Sequence, residues 1–242
     1  MILRVAPQDR TRVLELAREL GRHLGGKGRA SVNPDHDVVL QLSALNRTEP
    51  TLQRQAGDAE QLHLVPLGVL SDGHTVYGNW DEFGHVLLVG LPGGGTDVIL
   101  TSLVASLAAC CRPEELRFVT IANRCTLPAQ LWEFPHHAGD FINPDDEDTV
   151  RETLEQFRTE LVRRMRRTEG EGGHEWRATP EEPEIVLVAG ELANLPDDGT
   201  TLELLGSQGA RHGVRLLVAT ARTDALTADV LSHFEIRMVL QT

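Results

Sequence analysis

From residue 85 onward, the chain alternates short apolar runs with longer stretches of helical spacing. The apolar runs are rich in leucine and β-branched residues and predict strands at His85–Val89, Arg117–Ala122, Glu184–Ala189, Val214–Thr220 and Glu235–Leu240. The stretches between them predict helices at Asp97–Cys111, Asp146–Arg167 and Thr201–His212. Strands that alternate with helices form parallel sheets, whose strands are buried on both faces. The pattern therefore predicts an α/β domain in which helices flank a parallel sheet.

The part of the chain before this pattern is less regular. Its predicted elements are a helix at Asp9–Leu24 and short strands at Ala30–Val32, Val38–Leu42, His63–Leu70 and Thr75–Tyr77. Residues 46–61 are polar and show no hydrophobic period, which is typical of a linker. We therefore predict two units: a helix, a hairpin and a linker in residues 1–62, and the α/β domain in residues 63–242.

The turn after the first strand of the α/β domain is rich in glycine. Residues 90–97 read Gly-Leu-Pro-Gly-Gly-Gly-Thr-Asp, with Gly93, Gly94 and Gly95 in succession. Against the phosphate-binding pattern G-x-x-x-x-G-K-[ST], Gly90 and Gly95 fall in register. Thr96 then stands at the position of the lysine that reaches the phosphates, and Asp97 stands at the position of the magnesium-binding hydroxyl. The loop has the glycines of a nucleotide site without its cation.

Two later strand ends carry further candidate positions. In P-loop NTPases a second strand ends in an aspartate that positions magnesium, often followed by a glutamate that polarises the attacking water. Here Gly190 stands at the aspartate and Glu191 at the glutamate. The next strand commonly ends in a polar residue that senses the γ-phosphate, and Ala221 stands there. Glu191 is thus the surviving candidate for a catalytic base, with a solvated carboxylate as the alternative.

Several of these segments resemble the FtsK/SpoIIIE family of DNA-translocase ATPases, which includes the type VII secretion ATPases. The strand, glycine loop and helix of residues 85–107 are similar to the family's nucleotide loop. Residues 190–195 resemble the family's D-E-L-A-D-L segment with its first aspartate lost. Residues 209–222 resemble its G-R-A-A-G-I-H and L-A-T-Q-R-P segments, with Ala210 at the arginine and Ala221 at the glutamine. The resemblance spans most of the chain.

The resemblance implies a RecA-like P-loop α/β domain that assembles into rings and acts on double-stranded DNA or protein substrates. Family members continue past the strand that matches Glu235–Leu240, so we expect the domain to be truncated at its carboxyl end. The departures from the family fall on its lysine, hydroxyl, aspartate and glutamine, whereas the scaffold is retained. We therefore predict a degenerate, non-hydrolysing structural or regulatory member (a pseudo-ATPase) without a bound cofactor.

Two other functions stay open at this point. An active DNA translocase would bind ATP and magnesium and would need a cation from elsewhere in the chain, for which Arg124 and Arg211 are candidates. A module like the secretion ATPases would instead use the empty cleft for a partner peptide. In each case we expect a homo- or hetero-oligomeric ring with FtsK-like subunits.

Composition narrows the choice of partners and compartment. The formal net charge of −13 argues against a surface that coats nucleic acid and favours protein partners. No apolar run reaches the roughly 18–20 residues of a membrane helix, and the N-terminus does not resemble a signal peptide. Cys110, Cys111 and Cys125 fit neither a zinc spacing nor a disulfide framework. We therefore expect a cytoplasmic chain with reduced thiols.

Two clusters of side chains have competing interpretations. The pair His136-His137 is either a metal-ligand pair or two loop histidines, and we favour the latter because adjacent side chains point in different directions. The basic run from Arg163 to Arg167 is either a nucleic-acid patch or a last helical turn that complements the helix dipole. We favour the helix end.

Overall fold

The computed structural model describes residues 2–3, 28–32, 38–42, 63–70, 74–123, 131, 133–170, 176–196 and 199–240. The predicted helix Asp9–Leu24, the linker 46–61, Arg124 and Cys125 lie outside these residues. The strands are β1 (Ile2–Leu3), β2 (Gly28–Val32), β3 (Val38–Leu42), β4 (Leu64–Val69), β5 (Thr75–Asn79), β6 (Val86–Val89), β7 (Leu116–Ile121), β8 (Glu184–Ala189), β9 (Val214–Thr220) and β10 (Ile236–Val239). The helices are α1 (Thr96–Cys110), α2 (Glu147–Gly170), α3 (Thr200–Gln208) and α4 (Ala228–Ser232).

Eight of the described strands form one sheet in the order β2-β3-β1-β10-β6-β9-β8-β7. Strands β10, β6, β9, β8 and β7 are parallel, and the antiparallel strands β1, β3 and β2 extend the sheet beyond β10. The N-terminal strands therefore continue the sheet of the α/β domain, and the boundary at residue 62 stays a prediction. Because β9 lies between β6 and β8, the carboxyl ends of these three strands meet at the middle of one edge.

Helices cover both faces of the sheet. Helix α1 packs on one face through residues such as Leu103, and the hairpin β4–β5 packs against α1. Helices α2 and α3 pack on the other face through residues such as Leu154 and Leu205. Alternate strand residues supply the two cores, so that in β6 Leu88 belongs to the α1 side and Leu87 to the α2 side. This is the architecture of a RecA-like P-loop domain, and it confirms the predicted fold class.

The predicted elements of the α/β domain are confirmed with small shifts at their ends. The five predicted parallel strands are present with ends within one residue of the prediction. Helix α3 ends earlier than predicted, at Gln208, because the N–H groups of His212 and Val214 both bond the Gly209 carbonyl and turn the chain into β9. Helix α2 runs further than predicted, to Gly170. No helix within the described ranges combines the length and the apolar character that crossing a bilayer demands.

A buried arginine holds the amino edge of the sheet together. Arg164 of α2 is 1% exposed, and its Nε donates to Glu160 at 2.8 Å. Its terminal nitrogens donate to the carbonyls of Pro183 at 2.8 Å and Gly213 at 2.9 Å. These two carbonyls lie directly before β8 and β9, so one side chain joins α2 to the starts of both strands.

Candidate functional site

The glycine loop connects β6 to α1 at the carboxyl edge of the sheet. Gly93 and Gly95 have φ angles of 83° and 92°, in the left-handed region that glycine adopts readily. The N–H of Gly94 donates to the Leu91 carbonyl at 2.8 Å, and a Cβ on Gly94 would lie 2.9 Å from that oxygen. The tight turn therefore requires these glycines whether or not a phosphate binds.

The two residues after the loop, Thr96 and Asp97, differ from the lysine and the serine or threonine of the phosphate-binding pattern. Thr96 begins α1, and its Cγ2 lies 2.9 Å from the place of a Cβ on Gly90, so its methyl group faces the start of the loop. Asp97 lies half-buried in the first turn of α1, where a negative charge is favourable to the helix dipole by about 0.3–1 kcal/mol. This carboxylate brings negative charge to the helix terminus that would otherwise attract a phosphate.

Glu191 follows β8 and joins the ends of two strands. One carboxylate oxygen accepts from the Thr220 hydroxyl at 2.5 Å and from the Ala193 N–H at 3.1 Å. The other oxygen accepts from the Ala221 N–H at 2.8 Å. We call this arrangement the Glu191 clamp. It reaches the glycine loop through β9, because the Gly90 N–H donates to the Thr220 carbonyl at 3.2 Å.

The clamp gives Glu191 a structural role. A carboxylate has about four acceptor positions, and protein donors occupy three of them here. Two of the donors come from the end of β9, so the side chain holds β8 and β9 together at their carboxyl ends. One position is left for a water, and the aspartate that would position magnesium beside it is replaced by Gly190. The structure thus places Glu191 at the carboxyl edge of the sheet with most of its acceptor capacity already used.

The structure brings the substituted positions to one edge of the sheet. Gly190 directly follows β8, and its N–H donates to the Ile121 carbonyl at 3.1 Å. Ala221 directly follows β9, and its methyl side chain offers no hydrogen-bonding group. Thr220 is a site residue that the sequence reasoning missed: it is 1% exposed and bonds both Glu191 and the Arg222 N–H. The sequence feature that could have indicated Thr220 is a threonine at the end of a strand predicted to be buried.

Arg211, a candidate cation for an active enzyme, lies at the opposite edge of the sheet. It belongs to the 3-10 turn Ala210–His212, which directly precedes β9. Because β6 and β9 are parallel, the glycine loop lies beyond their other ends. A strand of seven residues is roughly 23 Å long, so Arg211 does not reach the loop of its own chain. Arg124 lies outside the described residues, and its role stays a prediction.

The two adjacent histidines bond different partners, as expected of loop histidines. Nε2 of His136 donates to the Cys111 carbonyl at 3.0 Å, and Nε2 of His137 donates to the Leu131 carbonyl at 2.8 Å. Across the described ranges, no three His, Cys, Asp or Glu side chains are grouped so as to hold a metal ion. The pair therefore serves packing and loop structure.

The basic run at the end of α2 is largely engaged in ion pairs. Arg163 bonds Glu160 at 2.7 Å and also contacts Glu182, and Arg167 lies 2.9 Å from Glu182. Glu182 is buried, so these arginines bind α2 to the segment before β8. Neither interpretation of the sequence included this role. Arg166 stays exposed.

Comparison with sequence models of protein families shows which family the chain belongs to. A sequence model described as the FtsK/SpoIIIE family matches residues 51–223, a range that contains the glycine loop, the Glu191 clamp and Ala221. The chain belongs to the FtsK/SpoIIIE family. The resemblance stated from its motifs is thereby confirmed.

Curated relatives of this FtsK/SpoIIIE domain include translocases and secretion proteins. The DNA translocase FtsK of Sporosarcina ureae is 22% identical over 235 residues, which cover 88% of this chain and 30% of the relative. The ESX secretion system protein EccC of Thermomonospora curvata is 26% identical over 202 residues, which cover 74% of this chain and 15% of the relative. The chain therefore spans less than a third of the length of these relatives.

Solved structures show the same fold. Thermomonospora curvata EccC (ATPases 2 and 3), in complex with a signal sequence peptide, matches with a TM-score of 0.67 and 18% identity, covering 77% of this chain and 37% of that one. The pCW3 conjugation coupling protein TcpA with ATPγS matches with a TM-score of 0.62 and 14% identity, covering 95% of this chain and 70% of that one. At these identities the likeness concerns the fold alone.

Proposed function

We propose that this domain is a non-hydrolysing FtsK/SpoIIIE-family member that acts as a structural or regulatory subunit. The observation that carries the proposal is the Glu191 clamp, in which the one family-type catalytic residue retained among the described strand ends is bonded to three protein donors. Around it, the positions for lysine, hydroxyl, aspartate and sensor hold Thr96, Asp97, Gly190 and Ala221. Such a domain keeps the shape of a motor subunit without the groups that cleave a phosphoanhydride.

Charge at the glycine loop opposes nucleotide binding. Working P-loops place a lysine on the β- and γ-phosphates and a magnesium ion beside it. Here Thr96 is neutral, and Asp97 adds a negative charge to the first turn of α1. Two unit charges about 4 Å apart interact by roughly 4 kcal/mol at the dielectric of a protein surface, so the loss of the lysine alone weakens binding by roughly a thousandfold. We expect an affinity for ATP–magnesium no better than about millimolar.

The test compares the native chain with a chain whose loop is restored. Thr96→Lys with Asp97→Thr is made first, and Gly190→Asp with Ala221→Gln is then added. Titration with a fluorescent ATP analogue and magnesium is expected to show no saturation of the native chain in the micromolar range and a gain of at least about a hundredfold after restoration. The control is Val98→Lys, which adds the same charge on an exposed part of the same helical turn and should not restore binding.

An active translocase predicts a different outcome. The native chain would bind ATP–magnesium at micromolar concentration, and turnover would be lost in Glu191→Gln. That pair of results would refute our proposal. Because Arg211 lies at the opposite edge of its own subunit, DNA-stimulated phosphate release that disappears in Arg211→Ala would indicate an arginine supplied between subunits.

The proposed partners are FtsK-like subunits in a homo- or hetero-oligomeric ring, with a protein substrate. The net charge of −13 supports a protein over double-stranded DNA. The neighbouring EccC structure contains a signal sequence peptide, which makes a peptide-binding module the second candidate function. Sedimentation of the chain with and without an active FtsK-like subunit tests assembly. Tight, steeply salt-dependent binding of labelled DNA, with no binding of a signal peptide, would contradict this choice of substrate.

A further inference from the structure

Two adjacent thiols lie at the end of α1, away from the glycine loop. Cys110 is the last residue of α1, and Cys111 caps the helix with its N–H on the Leu107 carbonyl at 2.8 Å. Their sulfur atoms are 3.9 Å apart, and both thiols are free. Cys110 is half-buried, whereas Cys111 is 7% exposed. A small reagent can therefore reach Cys110 and finds Cys111 directly beside it.

A histidine–carboxylate pair acts electrostatically on Cys110. Nδ1 of His63 is 2.8 Å from Oδ1 of Asp81, and this hydrogen bond raises the pKa of His63 and so favours the imidazolium. His63 directly precedes β4, the strand that packs against α1. Its positive charge acts on Cys110, whereas the carboxylates of Asp81, Glu115 and Glu184 face the same cluster with negative charge. Cys110 thus has an imidazolium in its surroundings, as reactive cysteines do.

The two thiols differ in acid–base character. The hydrogen bond between the two thiols lowers the pKa of Cys110, burial opposes this shift, and the charge of His63 adds to it. The same hydrogen bond, together with burial, raises the pKa of Cys111. Cys110 is therefore the thiol of the pair that ionises more readily and that a reagent reaches first; its own S–H group donates to the Leu107 carbonyl at 3.6 Å.

We propose that Cys110 and Cys111 form a hydroperoxide-reactive pair in which Cys110 attacks and Cys111 resolves. The Cys110 thiolate attacks an oxygen of the hydroperoxide; a sulfur–oxygen bond forms, the oxygen–oxygen bond breaks, and the leaving alkoxide or hydroxide takes up a proton. The Cys111 sulfur then attacks the sulfenic sulfur of Cys110. Hydroxide leaves as water with the Cys111 proton, and a disulfide remains. The two thiols supply the two electrons that reduce the peroxide.

The product is suited to reversible modification. Neighbouring Cα atoms are about 3.8 Å apart across a trans peptide, which is less than the roughly 4.4–6.8 Å span of ordinary disulfides. The bond is therefore strained, and strained disulfides are reduced easily. Closing the ring also displaces the helix end, where His136 bonds the Cys111 carbonyl at 3.0 Å. Oxidation is expected to loosen the contact between α1 and the segment around His136.

The experiment uses the full chain with Cys125→Ser, so that the pair is its remaining thiols. After treatment with hydrogen peroxide, mass spectrometry is expected to show the loss of two hydrogen atoms, reversed by dithiothreitol. Cys111→Ser in this background should instead gain one oxygen atom and react with dimedone, a reagent for sulfenic acids. Cys110→Ser in this background should react with hydrogen peroxide much more slowly than the Cys125→Ser chain or the Cys111→Ser variant.

The histidine–carboxylate pair is tested separately. His63→Gln and the milder Asp81→Asn are expected to slow peroxide consumption near neutral pH, by roughly tenfold for each unit by which the pKa of Cys110 rises. His74→Gln is the control, because His74 is exposed at the other end of the same hairpin and should leave the rate unchanged. Circular dichroism verifies that each variant is folded.

Three results would overturn parts or all of the proposal. Equal peroxide rates in Cys110→Ser and Cys111→Ser would overturn the division of roles. A persistent sulfenic acid in the chain that keeps both thiols would overturn the resolving step. A rate for Cys110 no higher than that of glutathione, and unchanged by His63→Gln, would overturn the proposal as a whole. None of these measurements depends on nucleotide, so their outcome is independent of the proposed function.

Discussion

Lowering the pH from about 7 to about 4 is expected to destabilise the fold through one buried histidine. His85 directly precedes β6 and is 1% exposed. Its Nδ1 accepts the hydrogen bond of the Leu216 N–H at 3.0 Å, and its ring lies edge-on to Phe234 at 6.2 Å between centroids. Protonation of Nδ1 would turn this acceptor into a donor that faces another donor. The fold therefore disfavours the imidazolium.

The magnitude follows from the change in pKa. Burial lowers the pKa of His85 from 6.5 to about 4, and the positive charge of Arg215 acts in the same direction. At about 1.4 kcal/mol per pKa unit, the neutral imidazole contributes about 3 kcal/mol to the free energy of unfolding. This contribution is fully present above pH 6.5 and is lost as the pH falls toward about 4, because in this window the unfolded chain binds a proton that the folded chain does not.

Urea unfolding of the native chain and of His85→Asn separates this contribution from others. Asparagine keeps an oxygen that accepts the Leu216 N–H but has no ionisable group. Between pH 6.5 and about 4, the free energy of unfolding of the native chain should fall by about 3 kcal/mol more than that of the variant. The variant should also be less stable near neutral pH, because it loses the packing of the imidazole.

Two other histidines have shifted pKa values and are present in both proteins. Burial lowers the pKa of His137, so its contribution is also lost as the pH falls. Asp81 raises the pKa of His63, so that contribution is present at low pH and is lost as the pH rises. The difference between the two stability curves cancels both effects. Parallel curves for the native chain and His85→Asn would show that the burial argument is wrong.

The remaining predictions concern the clamp, the loop and the buried arginine. Glu191→Ala leaves a hydroxyl and two N–H groups without their acceptor, so the free energy of unfolding in urea should fall by about 2–4 kcal/mol, and by less in Glu191→Gln. If it changes by no more than about 0.5 kcal/mol, the carboxylate is merely solvated. Gly95→Ala places a side chain on a residue with a φ of 92°, so the free energy of unfolding should fall by about 1 kcal/mol, measured as a lower melting temperature. Gly68→Ala is the control, because Gly68 has open space around it and an ordinary φ, and its melting temperature should not fall. Arg164→Met removes four buried or partly buried hydrogen bonds and should lower the free energy of unfolding by about 3 kcal/mol or more. The control Arg166→Met, at an exposed position, should change it by no more than about 0.5 kcal/mol. Similar values for the two variants would contradict the role of Arg164.

The strands of the α/β domain can be predicted because both of their faces are buried. Nearly every residue of β8 is buried, and a continuous apolar run of that length is typical of a central parallel strand. Helix α2 can be predicted from the spacing of Val150, Leu154 and Leu161 on one buried face. Helix α4 was missed because its five residues are too few to show a period, and its start depends on the Thr227 hydroxyl bonding the Val230 N–H.

The sequence predicts the parts of the candidate site that a motif locates along the chain, but not the contacts between residues that are distant in sequence. Motif register locates the glycine loop, Gly190 and Ala221 at the ends of their strands, and the structure places them at one edge. The bond between Glu191 and Thr220 joins residues 29 positions apart and exists because β8 and β9 are neighbours in the sheet. No local pattern encodes that neighbour relation. For the same reason, the sequence gives no sign that Arg164 is a buried residue with carbonyl partners from two other segments.

Under the proposed function, the residues that remain at the site are those that the fold itself needs. The glycines of the loop are required by its turn, and Glu191 is required by the donors of β9. The lysine, hydroxyl, aspartate and sensor of an active motor contact nucleotide or metal, and their replacement leaves the local backbone bonded: the Gly190 N–H donates to Ile121, and the Ala221 N–H donates to Glu191. Losing them therefore removes catalysis with little effect on stability. Since Glu191 has a structural reason to persist, its presence is not an argument for hydrolysis, and only the restored loop can show whether the clamp leaves it free to act as a base.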